Sequence, residues 1–191
     1  MKFTSKGFFM SDTVFSIGHG NRDEKLFFEL LKKHQISYLI DVRTSPFSKF
    51  NPQFNRDNLK VRSREHNIVY VFMGDDLGGM PKDRSCYDKE GRIIYSEVMK
   101  KSFFNRSIER LITANKKKIR VACMCSETNP ADCHRTKLIG EYLHNHDIEV
   151  THIDKAGDLK TQNEVMNEIT KGKNTQDIFG NSLEFKSKGA Y

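Results

Sequence analysis

The sequence has no tryptophan, only four prolines among its 191 residues, and no long apolar run. Its N-terminal segment MKFTSKGFFMSDTVF contains only the short run Gly7–Met10 before polar residues return. A run of this length is too short for a membrane span or for the apolar region of a secretory signal. We therefore expect a cytoplasmic protein that does not enter a membrane.

Cysteine is also scarce. Three of the four cysteines, Cys123, Cys125 and Cys133, fall in one short region, and the fourth is Cys86. In a chain without a secretory signal, this distribution favours free thiols in a reducing compartment over a disulfide framework.

Charged residues make up 30% of the chain, and their formal sum is +7. A positive field of this kind attracts phosphates, nucleic acid or an acidic surface. Charge alone leaves open the alternative of a solvated basic surface with no specific partner.

Short apolar runs alternate with amphipathic stretches along most of the chain. This alternation predicts an α/β fold: a single-domain, three-layer Rossmann-like sandwich whose mainly parallel sheet has about five strands. We expect the domain over residues 1–171 and a partly ordered tail over 172–191, where periodicity is weak. The predicted strands are 14–18, 38–42, 68–73, 119–125 and 149–153; the predicted helices are 24–34, 56–66, 98–112, one starting at Pro130, and 159–170; residues 74–95 are predicted as a long loop.

Polar clusters follow the first four predicted strands. They read GHGN, DVRTSP, GDDLGGMP and CSETNPADCHR. Because ligands bind beyond the carboxyl ends of parallel strands, we expect these four loops to surround one site. In the last cluster, Pro130 suits a first helical position and Asn129 suits a cap, so the free amides that follow would favour an anion.

These blocks resemble the family catalogued as domain of unknown function 488. The resemblance rests on SIGHGN, DVRTSPFSKFNPQFN, DLGGMPKDRSCYDKEGRIIYSEV, CMCSETNPADCHRTKLIGEYL and VTHID, and it spans about 140 residues from Ser16 to Asp154. It implies a single α/β domain of bacterial or archaeal type, sometimes loosely linked to DNA repair. It implies no established reaction.

The loops after the first two predicted strands supply His19 and Arg43. His19, between two glycines, is typical of an acid, a base or a hydrogen-bond donor, unless it only bonds its own turn. Arg43 can clamp a phosphate or carboxylate, unless it pairs internally with Asp41 or Glu127. Asp41 is expected to orient a neighbouring side chain. Further ligand contacts are expected at Asn21, Ser45, Gly78 and Gly79, the two glycines permitting a tight turn beside the pocket.

The fourth cluster supplies Cys125, Glu127, His134 and Arg135. Cys125 is a candidate nucleophile if nearby cations lower its pKa, although packing as a small core residue explains it at least as well. Glu127 favours a catalytic role, because a carboxylate in a loop facing Arg and His can activate water or stabilise a developing cation. His134 and Arg135 are both candidate ligand contacts, but helical neighbours diverge by about 100°, so one of them faces the pocket. We expect it to be Arg135.

Two chemistries are disfavoured in this cluster. A tyrosine-phosphatase-like loop needs a cysteine five residues before arginine, and neither Cys125 nor Cys133 has that spacing to Arg135. Zinc is not expected at Cys123, Cys125, Cys133 and His134, because the pattern lacks a second well-spaced pair and strand residues rarely reach the second turn of a helix. No metal and no other cofactor is expected.

The leading hypothesis is an enzyme that carries out hydrolysis or group transfer on a phosphate-bearing ligand, such as a nucleotide or nucleic acid. His19 and Glu127 are its acid/base candidates, and Arg43 and Arg135 are its anion contacts. Two alternatives stay open: a non-catalytic nucleotide- or nucleic-acid-binding module, and a thiol redox or metal-binding module.

Overall fold

The computed structural model describes residues 13–172 and 184–191. The strands in these residues are β1 (Val14–Gly18), β2 (Tyr38–Asp41), β3 (Val69–Phe72), β4 (Arg92–Ile94), β5 (Val121–Cys125), β6 (Val150–Ile153), β7 (Leu159–Thr161) and β8 (Lys186–Ala190). Six of them form the central sheet, in the order β3-β2-β5-β1-β6-β7, and all its pairs are parallel except β6 with β7. The predicted α/β fold with a mainly parallel sheet is confirmed, with β7 as an additional antiparallel edge strand.

Helices cover both faces of this sheet. They are α1 (Glu24–Lys33), α2 (Arg56–Glu65), α3 (Gly74–Leu77), α4 (Tyr95–Met99), α5 (Ser102–Lys116), α6 (Glu141–His144) and α7 (Gln162–Thr170), together with a π-helical segment, Arg135–Gly140. Side chains alternate along β5, so Val121, Cys123 and Cys125 pack with α5 on one face, whereas Ala122 and Met124 pack with α1 on the other. The central strands are therefore buried on both sides, as parallel strands in a three-layer sandwich must be.

Three predicted element boundaries are wrong. The predicted loop 74–95 contains α3 and β4, and the predicted helix 98–112 is divided between α4 and α5. The predicted last helix begins instead with β7, because the side chain of Thr161 accepts a hydrogen bond from the Glu164 amide and so caps α7. A capping box stops a helix from extending backwards, and it frees the residues before it to pair as a strand.

The helix predicted from Pro130 is interrupted. Pro130 does occupy a first helical position, and the Asn129 side chain accepts from the Ala131 amide, so the predicted cap is confirmed. However, the turn ends after three residues, since Cys133 has an extended backbone with φ −113° and ψ 147°. The chain then enters the π-helical segment, a conformation found mostly as short bulges, frequently at functional sites.

The end of the chain joins the fold as a strand. β8 pairs antiparallel with β4, and the Tyr95 amide donates to the carbonyl of Phe185. Residues 173–183 of the predicted tail lie outside the described residues. Among the residues described, no helix combines the length and apolarity needed to cross a membrane.

A buried chain of hydrogen bonds links the sheet to the helices beside the site. The guanidinium of Arg135 donates to the Ser16 hydroxyl at 3.1 Å, and this hydroxyl lies 2.6 Å from Nδ1 of His152. Nε2 of His152 lies 2.8 Å from Oε1 of Gln162, whose amide donates to the Thr136 carbonyl. Each of these polar groups has a hydrogen-bond partner. The network therefore favours one arrangement of the strands and helices at little net cost in free energy.

We expect His152→Ala to lower the free energy of unfolding by about 3 kcal/mol, because it removes the acceptor of the Ser16 hydroxyl proton and the donor to the Gln162 side-chain carbonyl, both of which are buried. Urea denaturation measures the change. The surface variant His146→Ala is the control, and we expect it to change stability by less than about 1 kcal/mol.

The same histidine predicts a pH dependence. Burial lowers the pKa of His152 to about 3, below its ordinary value of 6.5, so protonation favours the unfolded chain. This contribution is fully present above pH 6.5 and is lost as the pH falls from there toward 3. Between pH 7 and 5, we expect stability to fall more steeply in the wild-type chain than in His152→Ala; equal slopes would contradict this assignment.

Candidate functional site

Two adjoining cavities lie at the carboxyl edge of the sheet, and we call them together the edge cleft. Their volumes are about 480 and 370 Å³, and both are lined by Arg43 and Ser45 and by Ser126. The loop after β1 lines the smaller cavity, the loop after β3 lines the larger one, and the loops after β2 and β5 line both. The four polar loops that follow successive strands therefore meet at one place.

The pairing of β1 with β5 brings the first loop against the fourth. Gly18 is opposite Cys125, and the ladder continues beyond both strands because the amides of His19 and Gly20 donate to the carbonyls of Cys125 and Ser126. A Cβ atom on Gly18 would lie 1.8 Å from the carbonyl oxygen of Glu127. Glycine is therefore required here for the two loops to approach so closely.

Arg43 is held rigidly by Asp41. The Arg43 Nε and a terminal nitrogen donate to the two Asp41 carboxylate oxygens at 2.9 and 2.7 Å, and Tyr70 donates its hydroxyl proton to the same carboxylate. The carbonyl of Phe54 accepts a further hydrogen bond from Arg43. Of the two internal partners that the sequence offers, Asp41 and Glu127, Arg43 pairs with Asp41. This pairing orients the guanidinium where it lines the cleft.

His19 contacts Arg43 from the other side. Its ring stacks on Phe54, Nδ1 lies 2.9 Å from the Gly20 carbonyl, and Nε2 lies 3.1 Å from Arg43. Burial lowers the pKa of His19 to about 4, so the ring is neutral at pH 7. Nδ1–H therefore donates to the Gly20 carbonyl, and Nε2 accepts from Arg43. With both nitrogens engaged, His19 positions Arg43 rather than offering a free acid or base.

Glu127 lies at the mouth of the larger cavity. Its Oε2 accepts hydrogen bonds from the thiols of Cys125 at 2.8 Å and Cys133 at 3.3 Å, and its Oε1 accepts from the Ser126 hydroxyl. Partial burial opposes ionisation, but the hydrogen bonds from the thiols of Cys125 and Cys133 outweigh it and lower the pKa of Glu127 to about 2. The carboxylate is therefore charged throughout the physiological pH range.

The thiol of Cys125 is not activated by nearby cations. Its hydrogen bond with Cys133, followed by burial, raises the pKa of Cys125 well above its ordinary value. The condition for a nucleophilic Cys125, a pKa lowered by nearby cations, is therefore not met, and its burial agrees with the alternative of a packed core residue. Cys123 points into the core, where burial raises its pKa to about 12.

Only one of His134 and Arg135 faces the cleft, and it is His134. Arg135 is fully buried and donates to Ser16 and to the carbonyls of Glu127 and Thr128, so the expectation that it contacts a ligand is wrong here. Its guanidinium lies beneath the loop, because the Ser16 hydroxyl and two loop carbonyls accept its hydrogen bonds there. Nε2 of His134 lies 3.2 Å from the Val42 carbonyl, and Nδ1 faces the two thiols.

The remaining predicted contacts have different positions. Asn21 lines the smaller cavity and accepts a hydrogen bond from Asn51. Gly79 lines the larger cavity, where a Cβ atom would lie 2.9 Å from Nδ1 of His134. Gly78 packs against Thr44 instead and permits a tight turn, since a Cβ atom there would lie 2.4 Å from the Thr44 hydroxyl.

Four residues of the larger cavity lie outside the four predicted polar clusters and were missed from the sequence: Tyr95, Ser187, Lys188 and Tyr191. Three of them belong to the chain end that β8 brings to the cleft. The sequence FKSKGAY at 185–191 has too few apolar residues for an alternating strand pattern, so no local signal indicated this strand.

The expectation that strand and helix residues stay apart is also wrong. The side-chain ligand atoms of Cys125, Cys133 and His134 all lie within 4.8 Å of one another, and all three residues are buried. They meet because the interruption at Cys133 places Cys133 and His134 before the π-helical segment rather than in a second helical turn. Cys123 is not part of this group.

We expect Gly18→Ala to lower the free energy of unfolding by about 2 kcal/mol or more, because the added methyl group forces the Glu127 loop away from β1. Urea denaturation measures the loss, and nuclear magnetic resonance shifts of the Glu127 and Thr128 amides report the displacement. Gly189→Ala is the control, since its Cβ would be no closer than 3.7 Å to its neighbours. Equal stability of the two variants would contradict the close approach.

No curated protein and no solved structure matches the chain. A family model described as "Domain of unknown function DUF488" matches residues 24–143. The matched stretch includes Arg43, Glu127 and the sequence Cys-His-Arg at 133–135, whereas His19 and Asn21 precede it. Because the match covers more than half of the 191 residues, the chain belongs to the DUF488 family.

Proposed function

We propose that the chain is an enzyme that binds a phosphate-bearing ligand, such as a nucleotide or a nucleic acid, in the edge cleft and acts on it by hydrolysis or group transfer. One observation carries the proposal: the Glu127 carboxylate, two thiols and the imidazole of His134 converge in one cavity that Arg43 also lines. Perturbed titratable groups that converge in a cleft are typical of active sites.

Arg43 and Lys188 are the anion contacts. Arg43 keeps one orientation, because Asp41 and His19 hold it, and a preorganised donor binds an anion without ordering cost. Lys188 pairs with Asp132 at the surface. Exposed ion pairs of this kind contribute little to stability, so a phosphate can displace Asp132 from Lys188. The hydroxyls of Ser45 and Ser126 line the space between the two cavities.

Glu127 is the residue that acts in the chemical step. Its carboxylate lines the larger cavity, where it can orient a water molecule or stabilise a developing positive charge. His19 supports Arg43, so it acts on the ligand indirectly. All four cysteines are free and buried, which suits activity in the reducing cytoplasm.

Binding is tested by titrating the chain with inorganic phosphate, nucleoside mono- and triphosphates and a short single-stranded oligonucleotide. We expect Lys188→Met to weaken binding about 3- to 10-fold, because it removes one phosphate contact, and we expect the wild-type affinity to fall as salt is raised. Lys116→Met removes an equal charge near the opposite edge of the sheet and should leave the affinity unchanged. Equal affinities of the two variants, or no binding of any of these ligands, would contradict the proposed anion site.

Catalysis is tested with Glu127→Gln, which keeps the size of the side chain and removes its charge. We expect this variant to bind the same ligand within about threefold of wild type and to lose at least about 100-fold in turnover. Isothermal titration and product analysis by chromatography measure the two quantities. Unchanged turnover, or binding with no turnover by the wild-type chain, would reject the enzyme and favour a binding module.

A further inference from the structure

The larger cavity of the edge cleft contains a compact group of metal-ligand atoms. Sγ of Cys125 lies 3.8 Å and Sγ of Cys133 lies 3.7 Å from Nδ1 of His134. The three atoms lie within 4.8 Å of one another, although their residues come from a strand and from the turn eight residues further on. Two sulfurs and one imidazole nitrogen form a donor set that zinc prefers.

The separations match a tetrahedral zinc ion. Zn–S bonds of about 2.3 Å and a Zn–N bond of about 2.0–2.1 Å, at tetrahedral angles, place sulfur and nitrogen roughly 3.6 Å apart. The two observed S···N distances, 3.8 and 3.7 Å, exceed this ideal value by only about 0.1 to 0.2 Å. An ion therefore fits between these atoms with small rotations of the side chains.

The imidazole of His134 is oriented for coordination. Its Nε2 lies 3.2 Å from the Val42 carbonyl, so Nε2 carries the proton and Nδ1 directs its lone pair toward the sulfurs. Metal-bound histidines almost always donate their second ring N–H to a carbonyl, carboxylate or water in this way. Gly79 packs directly against the same ring, since a Cβ atom there would lie 2.9 Å from Nδ1.

The backbone between the two cysteines is fixed independently of any metal. Arg135 donates to the carbonyls of Glu127 and Thr128 and so secures the loop from beneath. Asn129 caps the short turn at Pro130, which delivers Cys133 and His134 to the end of β5. A preformed set of ligands binds a metal without the cost of ordering a loop.

We propose that Cys125, Cys133 and His134 bind one Zn²⁺ ion, with the fourth coordination position facing the larger cavity beside Glu127. Glu127 lies 2.8 and 3.3 Å from the two sulfurs, on the side that opens to the cleft. The two thiolates balance the charge of Zn²⁺, and the imidazole is neutral. The buried ion and its three ligands therefore carry no net charge. Three protein ligands and one open position are typical of catalytic rather than structural zinc.

This inference goes beyond the proposed function and does not rest on it, because metal binding is measured without a substrate. If the two are both correct, the open coordination position of the ion lies in the same cavity as Arg43 and Lys188, and there it would offer a Lewis acid to an oxygen atom of the ligand.

The first test uses the wild-type chain. Metal-free protein, prepared with a chelator under reducing conditions, is titrated with Zn²⁺, and the zinc-edge X-ray absorption spectrum of the product is recorded. We expect one ion per chain, two sulfur neighbours at about 2.3 Å and nitrogen or oxygen neighbours at about 2.0–2.1 Å. Replacement by Co²⁺ should give a thiolate-to-cobalt charge-transfer band and the intense visible bands of a tetrahedral site.

The second test uses variants whose folding is checked by circular dichroism. We expect Cys125→Ala, Cys133→Ala and His134→Asn each to weaken zinc binding by more than about 100-fold, a larger loss than removal of an outer-shell group causes. Cys86→Ala and Cys123→Ala, the matched controls, should bind one ion as before. Glu127→Gln should also retain the ion.

Three results would overturn the inference: substoichiometric zinc in the wild-type chain, a coordination shell without sulfur, or full zinc binding by Cys125→Ala and Cys133→Ala. Ready formation of a Cys125–Cys133 disulfide in metal-free protein that binds no zinc would identify a redox dithiol instead. Stoichiometric zinc binding without turnover would reject only the proposed enzyme, whereas turnover by a wild-type chain that fails to bind zinc would reject only the metal site.

Discussion

The buried guanidinium of Arg135 is the interaction on which the site depends. It donates to Ser16 on β1 and to two consecutive carbonyls in the loop after β5, and it has no exposed surface. A buried cation without such acceptors is costly, so this arrangement permits only one path for the loop. That path places the Glu127 carboxylate against the thiols of Cys125 and Cys133, and it gives His134 its orientation toward the cleft.

A second constraint acts in the loop after β2. Asp41 and Arg43 are both buried, and each would be strongly destabilising without the other. The neutral His19 ring and the Phe54 carbonyl take up further guanidinium donors. Because these hydrogen bonds all form within the protein, the Arg43 guanidinium has a fixed position beside the cleft. Rigid charged groups of this kind are what a site needs to recognise an anion without reorganisation.

The elements that were predicted correctly are those with local signals. The strands at 14–18 and 119–125 are apolar runs of strand length, and α1 has leucine and phenylalanine at helical spacing. The loops of the cleft were predicted from the rule that ligands bind beyond the carboxyl ends of parallel strands, which requires only the order of the elements. The errors concern features that depend on distant partners: the strand β8 has few apolar residues and exists by pairing with β4, about 95 positions earlier in the chain.

The sequence by itself determined the order of the five parallel strands of the central sheet, the meeting of four polar loops at one edge, and the types of side chain available there. Only the tertiary structure decided which side chains face the cleft. His134 and Arg135 are adjacent, yet His134 lines the cleft whereas Arg135 is fully buried beneath the loop. That choice is made by the hydrogen bond from Arg135 to Ser16, 119 residues away, and by two loop carbonyls. Local sequence cannot specify it, because contacts between distant segments supply the free energy that distinguishes the two orientations.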